Sequence, residues 1–319
     1  MKIKWSAIVA VWICWMTIQS HQIWSSTSDP DSTTSFVSHL ELITQQHNLG
    51  DAKTYKLPVE ARTRIRGRNG LCVDVEGFVY RDNTPIIIFP CRTYDILNQL
   101  WKLTKEGRIY SQEKCLAASG TTPGSAVVIH ECGTIADSAI IWEMSDSGSL
   151  VNVDSGLALT AKNGLSSSKL TVEENDYSTF QAWNATNNLN VVEVYIRSNR
   201  RNNECIYYNE NSTVHLETCL KGSSRQQWRL YPDSTIRPKN WVDGCMEMTR
   251  FSRYDSTNWI KVGNCSQSPV LQRWVFRPDG SIVNLKSQLV VDASSTKPGY
   301  VVAWPFHGGS NQLWKLEYV

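Results

Sequence analysis

From about residue 62 onward, apolar residues fall in short β-branched or alternating runs such as Ala126-Val-Val-Ile-His130, Leu170-Thr-Val172 and Tyr300-Val-Val-Ala-Trp304. Turn-forming pairs punctuate them, including Pro123-Gly124, Asn163-Gly164 and Asp279-Gly280. This rhythm predicts strands joined by loops, with almost no helix. One segment differs. Lys2 and Lys4 precede an apolar run from about Ala7 to Ile18 and then small polar residues, the layout of a secretory leader. That run is too short to span a bilayer comfortably, and no later stretch is apolar enough to insert into a membrane. Residues 1–24 are therefore expected to be a signal peptide, cleaved within Ser20 to Ser26, and the polar residues 25–61 a linker.

A longer period overlies the strands. Trp101, Trp142, Trp183, Trp228, Trp274 and Trp314 recur at intervals of 40 to 46 residues, five of them in Gln-x-Trp triplets; the exception reads Ile140-Ile-Trp142. Such a period means one supersecondary unit copied six times, each too small to bury its own apolar face. A β-propeller has a comparable period, but its Trp-Asp blade ending is absent: Lys102, Glu143, Asn184, Arg229, Val275 and Lys315 follow the six tryptophans.

Composition narrows the chemistry. Loss of Lys2 and Lys4 with the leader leaves 30 basic against 30 acidic residues, a balance that argues against nucleic acid or an anionic membrane as partner. The arginines at 62, 64, 66 and 68, and at 197, 200 and 201, are read as solvated turns among interspersed acids. Cys14 leaves with the leader, and the other eight of nine cysteines lie two apiece in four repeats, a usage that fits export to an oxidising compartment. Sequence alone allows on the order of a hundred pairings of eight cysteines. Sequons at Asn184, Asn211 and Asn264 fit the same route, secreted or vacuolar.

The stretch Ile65-Arg-Gly-Arg-Asn-Gly-Leu-Cys-Val-Asp-Val75, the Gln-x-Trp triplets, the placement of the cysteines and the ending Asn311-Gln-Leu-Trp314 together closely resemble the sugar-binding B chain of ricin-type plant lectins, including those of elder and mistletoe. The resemblance covers about Arg62 to Val319. It implies an all-β fold of two tandem β-trefoils, 62–187 and 188–319, each with three leaves about a pseudo-threefold axis. It also implies the disulfides Cys72–Cys91, Cys115–Cys132, Cys205–Cys219 and Cys245–Cys265, each closure being worth about 2–4 kcal/mol. The repeat tryptophans then belong to the cores and not to a ligand site.

A galactose-type ligand needs an aromatic face for its C–H patch, a carboxylate to accept from two adjacent hydroxyls, and amides that donate and accept. Two repeats carry the full set: Asp74, Phe89, Asn98 and Gln99 in the first, and Asp292, Trp304, Asn311 and Gln312 in the sixth. The resemblance places the family's two main galactose sites at these same leaves. The second repeat has Ala117, His130 and Ala139-Ile140; the third Thr160 and Phe180-Gln181; the fourth Tyr207, Glu217 and Arg225-Gln226; the fifth Glu247, Gly263 and Leu271. These four are read as structural leaves. Where the family carries a Gln and a Trp at the first site, this chain has Ile87 and Phe89. The change predicts a site weaker by about 1–3 kcal/mol if that Gln makes a real hydrogen bond. In the sixth leaf the acid-to-aromatic interval is 12 residues against 15 in the first, which predicts a shortened loop under the sugar.

The expected partners are therefore galactose- or N-acetylgalactosamine-bearing glycoproteins or glycolipids, held more firmly by multivalency, with no cofactor and no metal. In the resembling toxins an N-terminal A chain is joined by a disulfide. Here about 35 residues lie between leader and first trefoil, a polar linker or a remnant of an A chain, and no cysteine occurs between Cys14 and Cys72, so neither a catalytic domain nor a tethered A chain is expected. Glu60-Ala-Arg62 is read as a domain entrance. A glycoside hydrolase needs two carboxylates about 5–10 Å apart, whereas Glu173 and Glu174 are strand neighbours facing opposite ways. The six histidines are scattered, without a triad or metal-ligand spacing. The remaining alternative is a sugar-inactive trefoil serving as a storage or interaction protein.

Overall fold

The structure is a computed structural model that describes residues 62–200, 203–249, 258–265, 267 and 269–319. The expected leader and linker, and Arg201, lie outside the described residues.

Each repeat folds as an antiparallel hairpin followed by a strand at or beside its tryptophan. The hairpins pair Cys72–Val75 with Thr84–Phe89, Lys114–Ala118 with Val127–Glu131, and Ala158–Thr160 with Thr171–Glu173. The next three pair Glu204–Tyr208 with Val214–Thr218, Gly244–Met248 with Ile260–Asn264, and Val290–Ala293 with Val301–Trp304. The first three units close when Asn184–Ala185 pairs with Ile65–Arg66, and the last three when Trp314–Tyr318 pairs with Val192–Ser198. At the first closure Gly67 lies so near Trp183 that a Cβ there would come within 2.5 Å of the indole, so only glycine fits.

Two separate cores result, one around Trp101, Trp142 and Trp183 and the other around Trp228, Trp274 and Trp314. None of the six indoles is more than 5% exposed. Burying each removes about 200 Å² from water, an upper estimate of about 5 kcal/mol apiece. Every indole N–H also has a fixed partner. Those of Trp101, Trp142, Trp183, Trp228, Trp274 and Trp314 donate to the carbonyls of Val73, Leu116, Leu159, Ile206, Met246 and Val291, at 2.7 to 3.0 Å. In each case the accepting residue immediately precedes the acid position of its leaf. The core thereby fixes the strand that would present a ligand group.

All four disulfides form as the resemblance implied: Cys72–Cys91, Cys115–Cys132, Cys205–Cys219 and Cys245–Cys265. Each ties the two arms of one hairpin. No helix among the described residues is long and apolar enough to cross a membrane.

The arginines after residue 62 depart from the sequence expectation. Arg62 is exposed, but Arg64, Arg66 and Arg68 are buried. Their guanidinium groups have protein partners: Arg64 donates to the Arg92 carbonyl and Arg66 to that of Asn188. Arg68 reaches Thr179, the Cys265 carbonyl and Asp233. Asp233 also accepts from Arg237 at 2.7 Å and from the Asn69 backbone at 3.0 Å, and Arg237 donates to the Asn69 side chain. A fully buried ionic cluster thus joins the first core unit to the second. Nearby, the buried Arg273 donates to the carbonyls of Ser178 and Ser147. A buried arginine is tolerated to the extent that acceptors meet its donors; the terminal nitrogens of Arg64 and Arg273 find them, whereas the Nε of each does not.

Candidate carbohydrate sites

The six hairpins share one register. Asp74, Ala117, Thr160, Tyr207, Glu247 and Asp292 stand opposite Ile87, Val128, Thr171, His215, Lys261 and Val302. Two residues beyond those partners come Phe89, His130, Glu173, Glu217, Gly263 and Trp304. Strand residues two apart share a face, so acid and aromatic positions lie diagonally across the same face of every hairpin. The shorter interval in the sixth leaf does not disturb this. The three missing residues come from the hairpin tip, between Ala293 and Val301, and not from the paired segment beneath the candidate site.

In the sixth leaf the Asp292 carboxylate accepts from Asn311 Nδ2 at 3.0 Å on both oxygens and from Gln312 Nε2 at 2.8 Å. The Gln312 amide also clamps the loop. Its Nε2 donates to the Pro305 carbonyl, and its Oε1 accepts from the backbone N–H of His307. The first leaf repeats the arrangement. Asp74 accepts from Asn98 at 2.7 Å and Gln99 at 2.8 Å, while Gln99 bonds the Pro90 carbonyl and the Arg92 N–H. Asp74, Asn98, Gln99 and Gln312 are at most 1% exposed, whereas Asn311, Phe89 and Trp304 are half-buried. Gln99 and Gln312 thus orient the acid and brace the loop, and do not face solvent.

Two further side chains stand at these sites, unnoticed in the sequence. Arg92 Nε lies 4.0 Å from Asp74 Oδ2, and His307 Nε2 lies 3.5 Å from Asp292 Oδ2. The signal was present as a repeated tetrad, Phe89-Pro-Cys-Arg92 and Trp304-Pro-Phe-His307. The Arg92 guanidinium sits 5.0 Å from the Phe89 ring centre and 5.2 Å from that of Phe78, covering the first leaf's aromatic face.

Burial pushes the Asp74 carboxyl up to about 6, against the opposing pull of Gln99, Arg92 and Asn98. Burial raises Asp292 also, opposed by Gln312, Asn311 and His307. Asp74, at about 6, is ionised at neutral pH, and the amide partners hold the oxygens of both carboxyls in a fixed orientation.

The model of the ricin-type beta-trefoil lectin domain matches residues 61–183 and again 192–314. The chain belongs to this family. It is 38% identical over 262 residues to an agglutinin of Ricinus communis, covering 80% of this chain and 44% of that protein. It is 36% identical over 257 residues to beta-galactoside-specific lectin 3 of Viscum album, with 80% and 44% covered. The chain thus spans about half the length of the curated relatives it matches. A solved non-toxic homologue of type II RIPs from Momordica charantia, in complex with alpha-methyl-D-galactoside, superposes with a TM-score of 0.74 at 35% identity over 82% of this chain and 98% of that one.

Among the six leaves of this ricin-type β-trefoil chain, the others deviate for physical reasons. In the second, Ile140 stands in place of the clamp glutamine and packs with Ala117, Cys115 and Val128, so apolar contact replaces the acid–amide pair. In the third, Gln181 keeps its loop clamp and donates to the Thr160 hydroxyl at 3.2 Å. In the fifth, Glu247 is taken up by Gln272 at 2.6 Å and Lys261 at 3.2 Å. Its longer side chain reaches over the aromatic position, where a Cβ on Gly263 would come within 2.3 Å of the carboxylate.

Proposed function

We propose that the chain is a non-enzymatic lectin that holds terminal galactose or N-acetylgalactosamine, mainly at Asp292, Trp304 and Asn311 of the sixth leaf, with Gln312 as the brace. The observation that carries this reading is the Asp292 carboxylate, oriented by two amide side chains on the hairpin face that also bears Trp304. Hydroxyls of a hexose donate to Asp292, Asn311 supplies an amide, and the indole lies under the C–H patch. The galactoside-bound Momordica homologue and the beta-galactoside-specific Viscum lectin support the sugar class.

The first leaf, Asp74, Phe89, Asn98 and Gln99, is the weaker site. A sugar stacking on Phe89 has to displace Arg92, and Ile87 offers no polar group. Glycoproteins or glycolipids that reach both leaves gain from effective concentration. The disulfides, the leader-like start and the exposed sequon residues Asn211 and Asn264 support passage through the secretory pathway to a secreted or vacuolar destination.

Passage over immobilised galactose with lactose elution tests the reading. Asp292→Ala removes most retention and Asp74→Ala less. Unchanged retention in the double variant refutes the site residues. Failure of the wild type to bind any glycan of a panel favours a storage role, and release of reducing sugar favours a hydrolase.

A further inference from the structure

We propose that the fourth leaf is a third pyranose site, in which the aromatic ring and the carboxylate have exchanged strands: Tyr207 stands at the acid position and Glu217 at the aromatic one. The proposal rests on the lectin reading above. The shared register puts Tyr207 opposite His215, with Glu217 two residues on, so ring and carboxylate occupy the same diagonal as Trp304 and Asp292 with their places reversed. The Tyr207 ring centre lies 6.1 Å from that of His215 on the same face.

The surroundings are those of a braced leaf. Gln226 clamps the loop as in the first and sixth leaves, accepting from the Leu220 N–H at 2.7 Å and donating to the Thr218 carbonyl at 2.9 Å. Arg225 precedes it where Asn98 and Asn311 stand in the other two; it is exposed and pairs with the exposed Glu210 at 3.3 Å. Such a surface pair is weak, so the guanidinium is free to donate to a hydroxyl. His215 is polar where the first leaf has Ile87 and the sixth Val302. It meets Asn209 Nδ2 at 3.1 Å, and its ring lies 4.4 Å from that of the exposed Tyr300, which widens the apolar floor.

The other leaves lack this combination. The second is filled by Ile140, the fifth is closed by Lys261 on Glu247, and the third has Glu173 but only Thr160 opposite it on the diagonal. A carboxylate for adjacent hydroxyls, a ring for the C–H face and a cationic donor together fit a neutral pyranose. Two glutamates beside one arginine disfavour an acidic sugar.

The test uses the full protein with the first and sixth leaves silenced by Asp74→Ala and Asp292→Ala, and saturation-transfer NMR with methyl β-galactoside, methyl α-mannoside and a methyl sialoside at millimolar concentration. The silenced protein still transfers saturation to at least one neutral pyranoside. Adding Glu217→Gln weakens that interaction about tenfold, the loss of one charge-assisted hydrogen bond. Tyr207→Ala abolishes it, whereas Tyr207→Phe retains it. No transfer to either neutral sugar, transfer unaffected by Glu217→Gln, or a preference for the sialoside overturns the proposal. If Tyr207→Ala fails to fold, the exposed Glu217→Gln decides alone. The drop in lactose-eluted retention from wild type to Asp292→Ala, measured separately, reports on the sixth leaf, so the two readings fail independently.

Discussion

The indole N–H of Trp314 donates to the carbonyl of Val291 at 3.0 Å, one residue before Asp292. A core side chain thereby sets the position of the proposed ligand acid. Trp314→Phe keeps most of the apolar volume but strands a buried carbonyl, which costs about 1–3 kcal/mol. The expected outcome is a lower melting temperature together with weaker retention on immobilised galactose. Loss of stability with unchanged retention would separate the two roles.

Galactose binding weakens in mild acid while the fold persists. In the proposed sites a sugar is held by ionised carboxylates, and Asp74 sits at about 6, so affinity at the first leaf is expected to fall roughly tenfold per pH unit below that point. Asp292 is raised in the same direction, so the sixth leaf also lets go above the ordinary carboxylate range. Because the folded state binds these protons more readily than the unfolded chain, stability from these two groups is full below their unfolded values and declines as pH rises through the folded ones. Affinity chromatography and circular dichroism across pH 4 to 8, a range chosen to bracket about two units on either side of Asp74, check both halves of the statement.

Asp233 behaves oppositely. Burial pushes its carboxyl up, but Arg237 and Arg68, with Thr235 and the Asn69 N–H, outweigh that and hold it below the usual range. Its contribution to stability is present above its unfolded value and is lost only as pH falls through the lower folded value. Asp233→Ala leaves two buried guanidinium groups without their anion, at a cost of about 3–5 kcal/mol. Chemical denaturation reads this, and intact galactose retention by the surviving folded fraction separates it from a site effect.

In the second leaf, Ala117→Asp places a carboxylate against Ile140, where no amide can receive it. Destabilisation of about 3–5 kcal/mol is expected. Ile140→Gln restores the acid–amide pair, so the double variant recovers about 1–2 kcal/mol relative to the sum of the singles. Additive losses in denaturation midpoints would reject the idea that Ala117 and Ile140 replaced the Asp–Gln pair together.

Much of this was legible beforehand because it is periodic. Six tryptophans at a near-constant interval announce six equivalent units, and Asp74 with Asn98-Gln99 recurs as Asp292 with Asn311-Gln312. What stayed hidden depends on contacts between distant segments. Arg68 reads as a surface charge until Asp233, 165 residues away, is brought beside it. Glu247 reads only as an acid in a leaf without a ring until the hairpin register sets Lys261 directly across from it. Gln99 and Gln312 read as sugar-facing amides because residue type reveals hydrogen-bonding capacity but not direction; only the fold shows them turned inward on Pro90 and Pro305.

The third leaf, finally, keeps the Gln181 brace although it has no acid to orient. The brace is therefore part of the fold itself and stands whether or not its leaf carries an acid. A substitution at Thr160 would thus meet a loop already held in place, so a repeat chain of this design can alter one unit without rebuilding its scaffold.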